Sequence, residues 1–306
     1  MRVFILGATG FIGGHVARHL KREGHAVSGL ARSAEAAAKL TADGIVPING
    51  DLEGDLDAVV RASLTADAVI FAPQLLLEPE HQAVSAFLDE MAETGKTFLF
   101  TSGTGVLGQR TFGAWSQDSF AEDDPFIPAK TIARRVDTET LVRATAERGI
   151  RGIVLRPPLI WGAGDHGHVA MIYQSVAATG SACYVGAGLN CYSNVHIDDL
   201  AHLYALALDK GVPGALYHAV AGEIPNRWIA EAVARDLGVE SRSLSVEEAF
   251  DVWGKFGTLI VMGASSRSRS PRARAELGWE PTRLDMLEMI GEPRLRAMAE
   301  RKVAAA

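Results

Sequence analysis

The first apolar positions form an unbroken run, Val3-Phe4-Ile5-Leu6, closed by Gly7. Four residues are too few for a helix, and none of the four is polar, so the run predicts a buried strand. The spacing then changes. Phe11, Ile12, Val16 and Leu20 recur at helical intervals. The same switch repeats down the first half of the chain. Strands are predicted at 25–31, 44–48, 67–72, 97–101 and 151–156, with helices at 34–40 and 132–148 among them. Strands alternating with helices imply right-handed crossovers and a parallel sheet. Pro157-Pro158 ends the rhythm. Beyond it, Gly162, Gly164 and Gly167 mark a loop, and 169–178 is helical. Val195-His196-Ile197 is expected to return to the sheet, followed by a helix over 198–208 capped by Asp198. From about residue 222 a second helical stretch begins.

Gly7, Gly10 and Gly13 lie between the first strand and the first helix. A strand, a glycine-rich turn and a helix N-terminus make a dinucleotide pyrophosphate site. The first glycine permits the tight turn, the second lets backbone approach the phosphates, and the third lets helix and strand pack closely. Free N–H groups and the positive end of the helix dipole then face the anion. Thr9, Phe11 and Ile12 belong to the same turn. The expected architecture is an α/β fold: a Rossmann-type doubly wound parallel sheet with a smaller C-terminal substrate lobe. Residues 1–157, with returning segments at about 193–220, make the NADP-binding domain. Residues 158–192 and 221–306 interleave as the substrate-binding lobe.

Composition narrows the class. Apolar residues make up 48% of the 306, enough for a large core. A net charge of −7 argues against a nucleic-acid surface. Arg267, Arg269 and Arg272 are the local exception, read as a solvated loop or an anion contact in a substrate site. Cys183 and Cys191 lack metal-ligand spacing, so no metal is expected from them, and two thiols in a chain of this length point to a reducing cytoplasm. No leader-like segment precedes the first strand, and no apolar run reaches membrane-spanning length.

Five segments together resemble the extended, epimerase/dehydratase-like branch of the short-chain dehydrogenase/reductase superfamily. They are Gly7-Ala8-Thr9-Gly10-Phe11-Ile12-Gly13, Gly50-Asp51-Leu52, the run from Phe100 to Gly108, Arg156-Pro157-Pro158-Leu159-Ile160-Trp161-Gly162, and Asn194 to Ala201. The resemblance implies that Asp51 and Leu52 sit on the adenine. It places Ala72, Pro73, Thr101 and Pro157 along the dinucleotide, and it suggests a homodimer through the helices around Leu88 and Val142. In dinucleotide folds an acid at the end of the second strand selects NAD. Here Ala31 is followed by Arg32 and Ser33, which suit a 2′-phosphate, so NADP is the expected cofactor.

The catalytic positions depart from the pattern. The family uses a Tyr and a Lys four residues later. Counting back from Glu139, which resembles a recurring family glutamate, these places fall on Thr131 and Arg135. A Thr hydroxyl is a poor acid at neutral pH, and Arg does not lose its proton. Arg135 can still hold the nicotinamide ribose. Ser102 and Thr104 stand where the family keeps a substrate-holding hydroxyl, or they merely finish the strand and satisfy loop backbone. Tyr173, Lys130, and Asp165, His166 and His168 in the glycine-marked loop are further proton-donor candidates. Glu78-Pro79-Glu80-His81 occupies the stretch where the family carries an Asn.

The resulting expectation is an NADP(H)-dependent oxidoreductase acting on a small carbonyl or hydroxyl compound. A nucleotide-sugar epimerase or dehydratase and a non-catalytic NADP(H) sensor are the alternatives.

Overall fold

The computed structural model describes residues 1–164 and 166–300. The first half is a succession of β1 (Arg2–Leu6), α1 (Phe11–Arg22), β2 (Ala26–Ala31), α2 (Ala34–Ala42), β3 (Val46–Asn49), α3 (Leu56–Ser63), β4 (Ala68–Phe71), α4 (Leu77–Glu90) and β5 (Thr97–Thr101). After the short β6 (Gln109–Arg110) come α5 (Ala133–Arg143), β7 (Arg151–Arg156), β8 (Leu159–Trp161), α6 (His168–Thr179), β9 (Ala182–Val185), β10 (Cys191–His196) and α7 (Ile197–Lys210). The chain continues through β11 (Leu216–His218), β12 (Gly222–Pro225), α8 (Asn226–Leu237), β13 (Ser241–Leu244), α9 (Val246–Phe256), β14 (Ala264–Ser265), α10 (Pro271–Leu277) and α11 (Pro293–Glu300).

Seven strands form one parallel sheet in the order β11-β7-β5-β4-β1-β2-β3. The order reverses between β1 and β4, which opens a crevice at the strand C-termini. Successive strand residues feed opposite faces. Val3 and Ile5 join the core beneath α1 and α7, whereas Phe4 and Leu6 join Val59, Val84, Phe87 and Val142 from α3, α4 and α5. Both faces are covered, which is why these strands read as continuous apolar runs.

The sequence expectation for 195–197 needs correction. β10 does not enter the main sheet. It pairs with β8 and β12 in a separate three-stranded sheet, and the seventh main strand is β11. Two apolar residues flanking a histidine do not reveal which neighbour they pair with. The cap also differs. The His196 side chain accepts from the Asp198 N–H at 3.2 Å, so the histidine caps α7. Asp199, one position on, is buried and ties down the C-terminal segment. Its carboxylate accepts from the Thr282 N–H and hydroxyl and the Arg283 N–H, while Trp279 Nε1 donates to its carbonyl at 2.9 Å. The lobe has its own core, built from α6, α8, β9 and the 286–298 region.

Leu88 and Val142 are fully buried within the chain. Cys183 and Cys191 are buried and free. Among the described residues no helix is long and apolar enough to cross a membrane.

A very close approach lies at the first turn. A Cβ on Gly13 would stand 2.3 Å from the Gly7 carbonyl oxygen. Gly13→Ala is therefore expected to lower unfolding free energy by about 3 kcal/mol in urea titrations, the cost of forcing backbone apart. Gly105→Ala, whose Cβ meets nothing within 4 Å, is expected to leave it nearly unchanged.

Candidate active site

The turn after β1 is shaped by what cannot fit there. Gly7 has φ +83°, and a Cβ on it would lie 2.5 Å from the Ala72 carbonyl oxygen at the end of β4. Gly10 caps α1 with no side-chain acceptor, and no acidic residue occupies the first helical turn. The α1 N-terminus is thus left to an external anion. This cradle fits a dinucleotide diphosphate.

A cleft of ≈ 1040 Å³ runs from this turn along the strand ends. It gathers Gly7, Thr9, Gly10, Phe11 and Ile12 with Arg32 and Ser33 beyond β2, Asp51 and Leu52 beyond β3, and Ala72 and Pro73 beyond β4. Thr101, Ser102 and Arg135 line it as well. Gly13 serves by packing rather than by lining. At the Pro-Pro step, Pro158 faces the cleft together with Leu159 and Ile160, while the Pro157 carbonyl accepts from the Thr104 N–H at 2.9 Å. Gln74, Leu75 and Glu53 also line the wall and were not singled out from the sequence. Nor was Lys39, whose Nζ donates to the Thr9 carbonyl at 2.8 Å and ties α2 to the glycine turn.

Ser33 has two tasks available. Its oxygen accepts from the Ala36 N–H at 3.1 Å, capping α2, which leaves its hydroxyl proton for a ligand. Thr101 Oγ1 is 2.7 Å from the hydroxyl of the buried Tyr204.

Ser102 stands on a buried ionic chain. Its hydroxyl donates to Glu139 of α5, and Arg156 of β7 grips the same carboxylate through two nitrogens. Arg156 also lies beside His218, 3.4 Å away. Burial, with Arg156 adding to it, pushes His218 down to about 3, so the imidazole is neutral. Glu139 entered the sequence reading only as a ruler for counting. The structure makes it the group that orients Ser102.

Arg135 is similarly held. Its Nη2 and Nε reach the Glu80 carboxylate at 2.6 and 3.0 Å, and Arg134 reaches Glu78 on the same helix, α4. The Glu78-Pro79-Glu80 segment is therefore the partner of the two arginines. Burial pushes Glu80 up to about 7 against the pull of Arg135.

The other proton-donor candidates separate. Thr131 and Lys130 are exposed, sit in a turn before α5 begins at Ala133, and do not line the cleft. The helix starts at Ala133, within one residue of the predicted start, so both residues precede it. Tyr173 is buried in the lobe core, donating to Asp236 at 2.7 Å and accepting from the Gly291 N–H at 2.9 Å. Burial pushes its hydroxyl up to about 12, which suits a structural strut and not an acid. Thr104 is fully buried behind the cleft. His168 is buried and pushed down to about 4 by desolvation. His166 does line the cleft, edge-on to Phe11 with ring centroids 4.2 Å apart. Asp165 lies outside the described residues. Arg267 pairs with Glu223 at 2.7 Å and Arg269 with Asp124 at 2.8 Å, so both staple loops and neither reaches the cleft.

Residues 3–220, which hold the glycine cradle, Ser102, Glu139 and Arg156, match the NAD dependent epimerase/dehydratase family. The chain belongs to that family. An uncharacterized protein of Schizosaccharomyces pombe is 35% identical to this epimerase/dehydratase-family chain over 292 residues, covering 92% of it and 95% of the yeast protein. The 2-alkyl-3-oxoalkanoate reductase of Stenotrophomonas maltophilia is 29% identical over 232 residues, 70% of this chain and 67% of the reductase. Among solved structures, the UDP-glucuronic acid 4-epimerase of Bacillus cereus, in complex with UDP-glucuronic acid and NAD, superposes with a TM-score of 0.73. It covers 98% of each chain at 16% identity, a likeness of fold. The resemblance drawn from the five sequence segments is borne out, and so is the doubly wound sheet.

A raised carboxyl gives a signed expectation. Because the folded-state value of Glu80 lies above the ordinary one, the folded protein holds a proton there that the unfolded chain has released. That contribution is complete below the ordinary carboxylate range and is lost as pH rises toward about 7. Urea unfolding from pH 5 to 8 should show wild type losing stability relative to Glu80→Gln. A pH-independent difference would contradict the assignment.

Proposed function

We propose that this protein is an NADP(H)-dependent oxidoreductase acting on a small carbonyl or hydroxyl compound. The observation that carries the reading is one continuous cleft lined by the glycine cradle, Arg32, Ser33, Ser102 and His166. A bound nicotinamide dinucleotide supplies or accepts the hydride.

Arg32 and the N-terminus of α2, capped by Ser33, favour a 2′-phosphate. No carboxylate stands at the end of β2 to oppose it, although Glu35 occupies the first turn of α2 outside the cleft. Ser102 holds the substrate oxygen. With its proton given to Glu139, it presents lone pairs and suits a substrate hydroxyl; to hold a carbonyl, that proton swings into the cleft. Arg135, anchored by Glu80, orients a ribose but moves no proton. His166 takes the proton-transfer role left by the missing Tyr, since it lines the cleft and an imidazole can both give and accept a proton.

A 3-oxo substrate is named for the Stenotrophomonas relative, which supports a ketone as first probe. The sugar-epimerase alternative is disfavoured by the exposed Thr131, because that chemistry relies on a Tyr base in this place.

Two measurements check the reading. Calorimetry should show Arg32→Ala weakening NADPH by about tenfold or more, the size of one lost charge-assisted bond, while NADH changes little. Equal losses for both would remove the 2′-phosphate assignment. NADPH consumption with a panel of 3-oxo esters, ketones and aldehydes should show Ser102→Ala lowering kcat by about 100-fold, as for loss of one positioned donor. His166→Gln should flatten the neutral limb of the kcat–pH profile with NADPH binding retained. Tight NADPH binding with no turnover on any compound would identify a sensor instead.

A further inference from the structure

α1 and α7 pack side by side on one face of the sheet. Near the C-terminal end of α1 they bring three donor side chains together. His19 Nε2 lies 3.2 Å from Glu23 Oε1, one turn further along. The His202 ring of α7 stands edge-on to His19, with centroids 5.8 Å apart and planes at 66°. One ligand atom from each of the three residues falls within 4.8 Å of the other two. His19 Nε2 is buried and makes no hydrogen bond, its approach to Glu23 being poorly directed for one.

Two imidazole nitrogens and one carboxylate oxygen are the donor set of a first-row transition metal. Zinc takes such ligands at about 2.0–2.2 Å and keeps a fourth position for water. Ligands at tetrahedral corners then stand roughly 3.3–3.5 Å apart, which the His19–Glu23 pair already matches and the rest of the set, within 4.8 Å, reaches by a modest contraction. We propose that His19, Glu23 and His202 form a binding site for a divalent transition-metal ion of the zinc type, which clamps α1 to α7.

An ordinary His–Glu pair on a helix needs no third partner. A dication makes use of all three. The negative end of the α1 dipole favours a cation there, although Arg22 works against it. His202 and Glu23 are exposed, which leaves an entry path and an open coordination position. Mg²⁺ and Ca²⁺ prefer all-oxygen shells and do not suit the set. His19 lies about 12 Å along the helix from Phe11, so the ion would act as a clamp remote from the hydride site. The site stands independently of the proposed reaction.

The test uses the full chain without a histidine tag, stripped by chelator and titrated with zinc sulfate in calorimetry and thermal unfolding. One equivalent should bind, with Tm rising by about 5 °C once zinc exceeds Kd roughly 100-fold. Cobalt(II) should give the visible absorption of a low-coordinate nitrogen–oxygen site, and magnesium should shift nothing. His202→Ala and Glu23→Gln, both at exposed positions, should keep the metal-free Tm and lose the zinc response. If His202→Ala destabilises the apo protein, His202→Gln provides the same comparison. Absence of zinc binding to wild type, or one equivalent bound undiminished by these variants, would overturn the proposal.

Discussion

Everything at the cleft depends on three backbone segments meeting closer than any side chain allows. The Gly7 carbonyl lies under Gly13 of α1, and the Gly7 Cα lies against the Ala72 carbonyl. β1 is central in the sheet, so its C-terminal end fixes where α1 departs and how it leans on β4. That departure angle aims the α1 N-terminus along the crevice where strand order reverses. Shift the turn by one methyl group and the anion cradle, the packing of α1 on α7, and the walls from β2 and β4 all lose register.

A second layer of order is ionic. α4 and α5 do not merely pack; they exchange two acid–arginine pairs, Glu78 with Arg134 and Glu80 with Arg135. A third pair, Glu139 with Arg156, ties α5 to the sheet beneath and takes the Ser102 hydroxyl as an additional ligand. The Glu78–Arg134 pair is exposed and contributes little, whereas the Glu80 and Glu139 pairs are buried, and such pairs stabilise little in net terms but are costly to break singly. Their contribution here is positional: they hold Arg135 and Ser102 at the cleft while the Tyr and Lys typical of the family are absent.

Much of this was legible in the chain. The run Val3–Leu6, the glycine spacing and the helical period after it led directly to β1, the turn and α1, because each rests on local geometry. Arg32 and Ser33 could be placed because they directly follow a strand. What could not be read depends on partners far apart in sequence. β10 belongs to a different sheet from the one its sequence suggests because pairing is set by β8 and β12, not by Val195 and Ile197 alone. Tyr173 looked available as an acid until Asp236 and Gly291, 63 and 118 residues away, were seen to claim its hydroxyl. Glu80 carried a signal, two acids on α4 facing two arginines on α5, but the pairing needed both helices in place.

The seventh strand also governs how the chain can be made. β7 is complete at Arg156, yet the strand that covers its outer edge ends at His218. During synthesis the nucleotide-binding half therefore emerges with an open, apolar edge, Ile153-Val154-Leu155, and keeps it while some sixty further residues are added. A ribosome-bound intermediate of this protein is a natural target for chaperones, and fragments that stop short of β11 are predisposed to associate edge to edge.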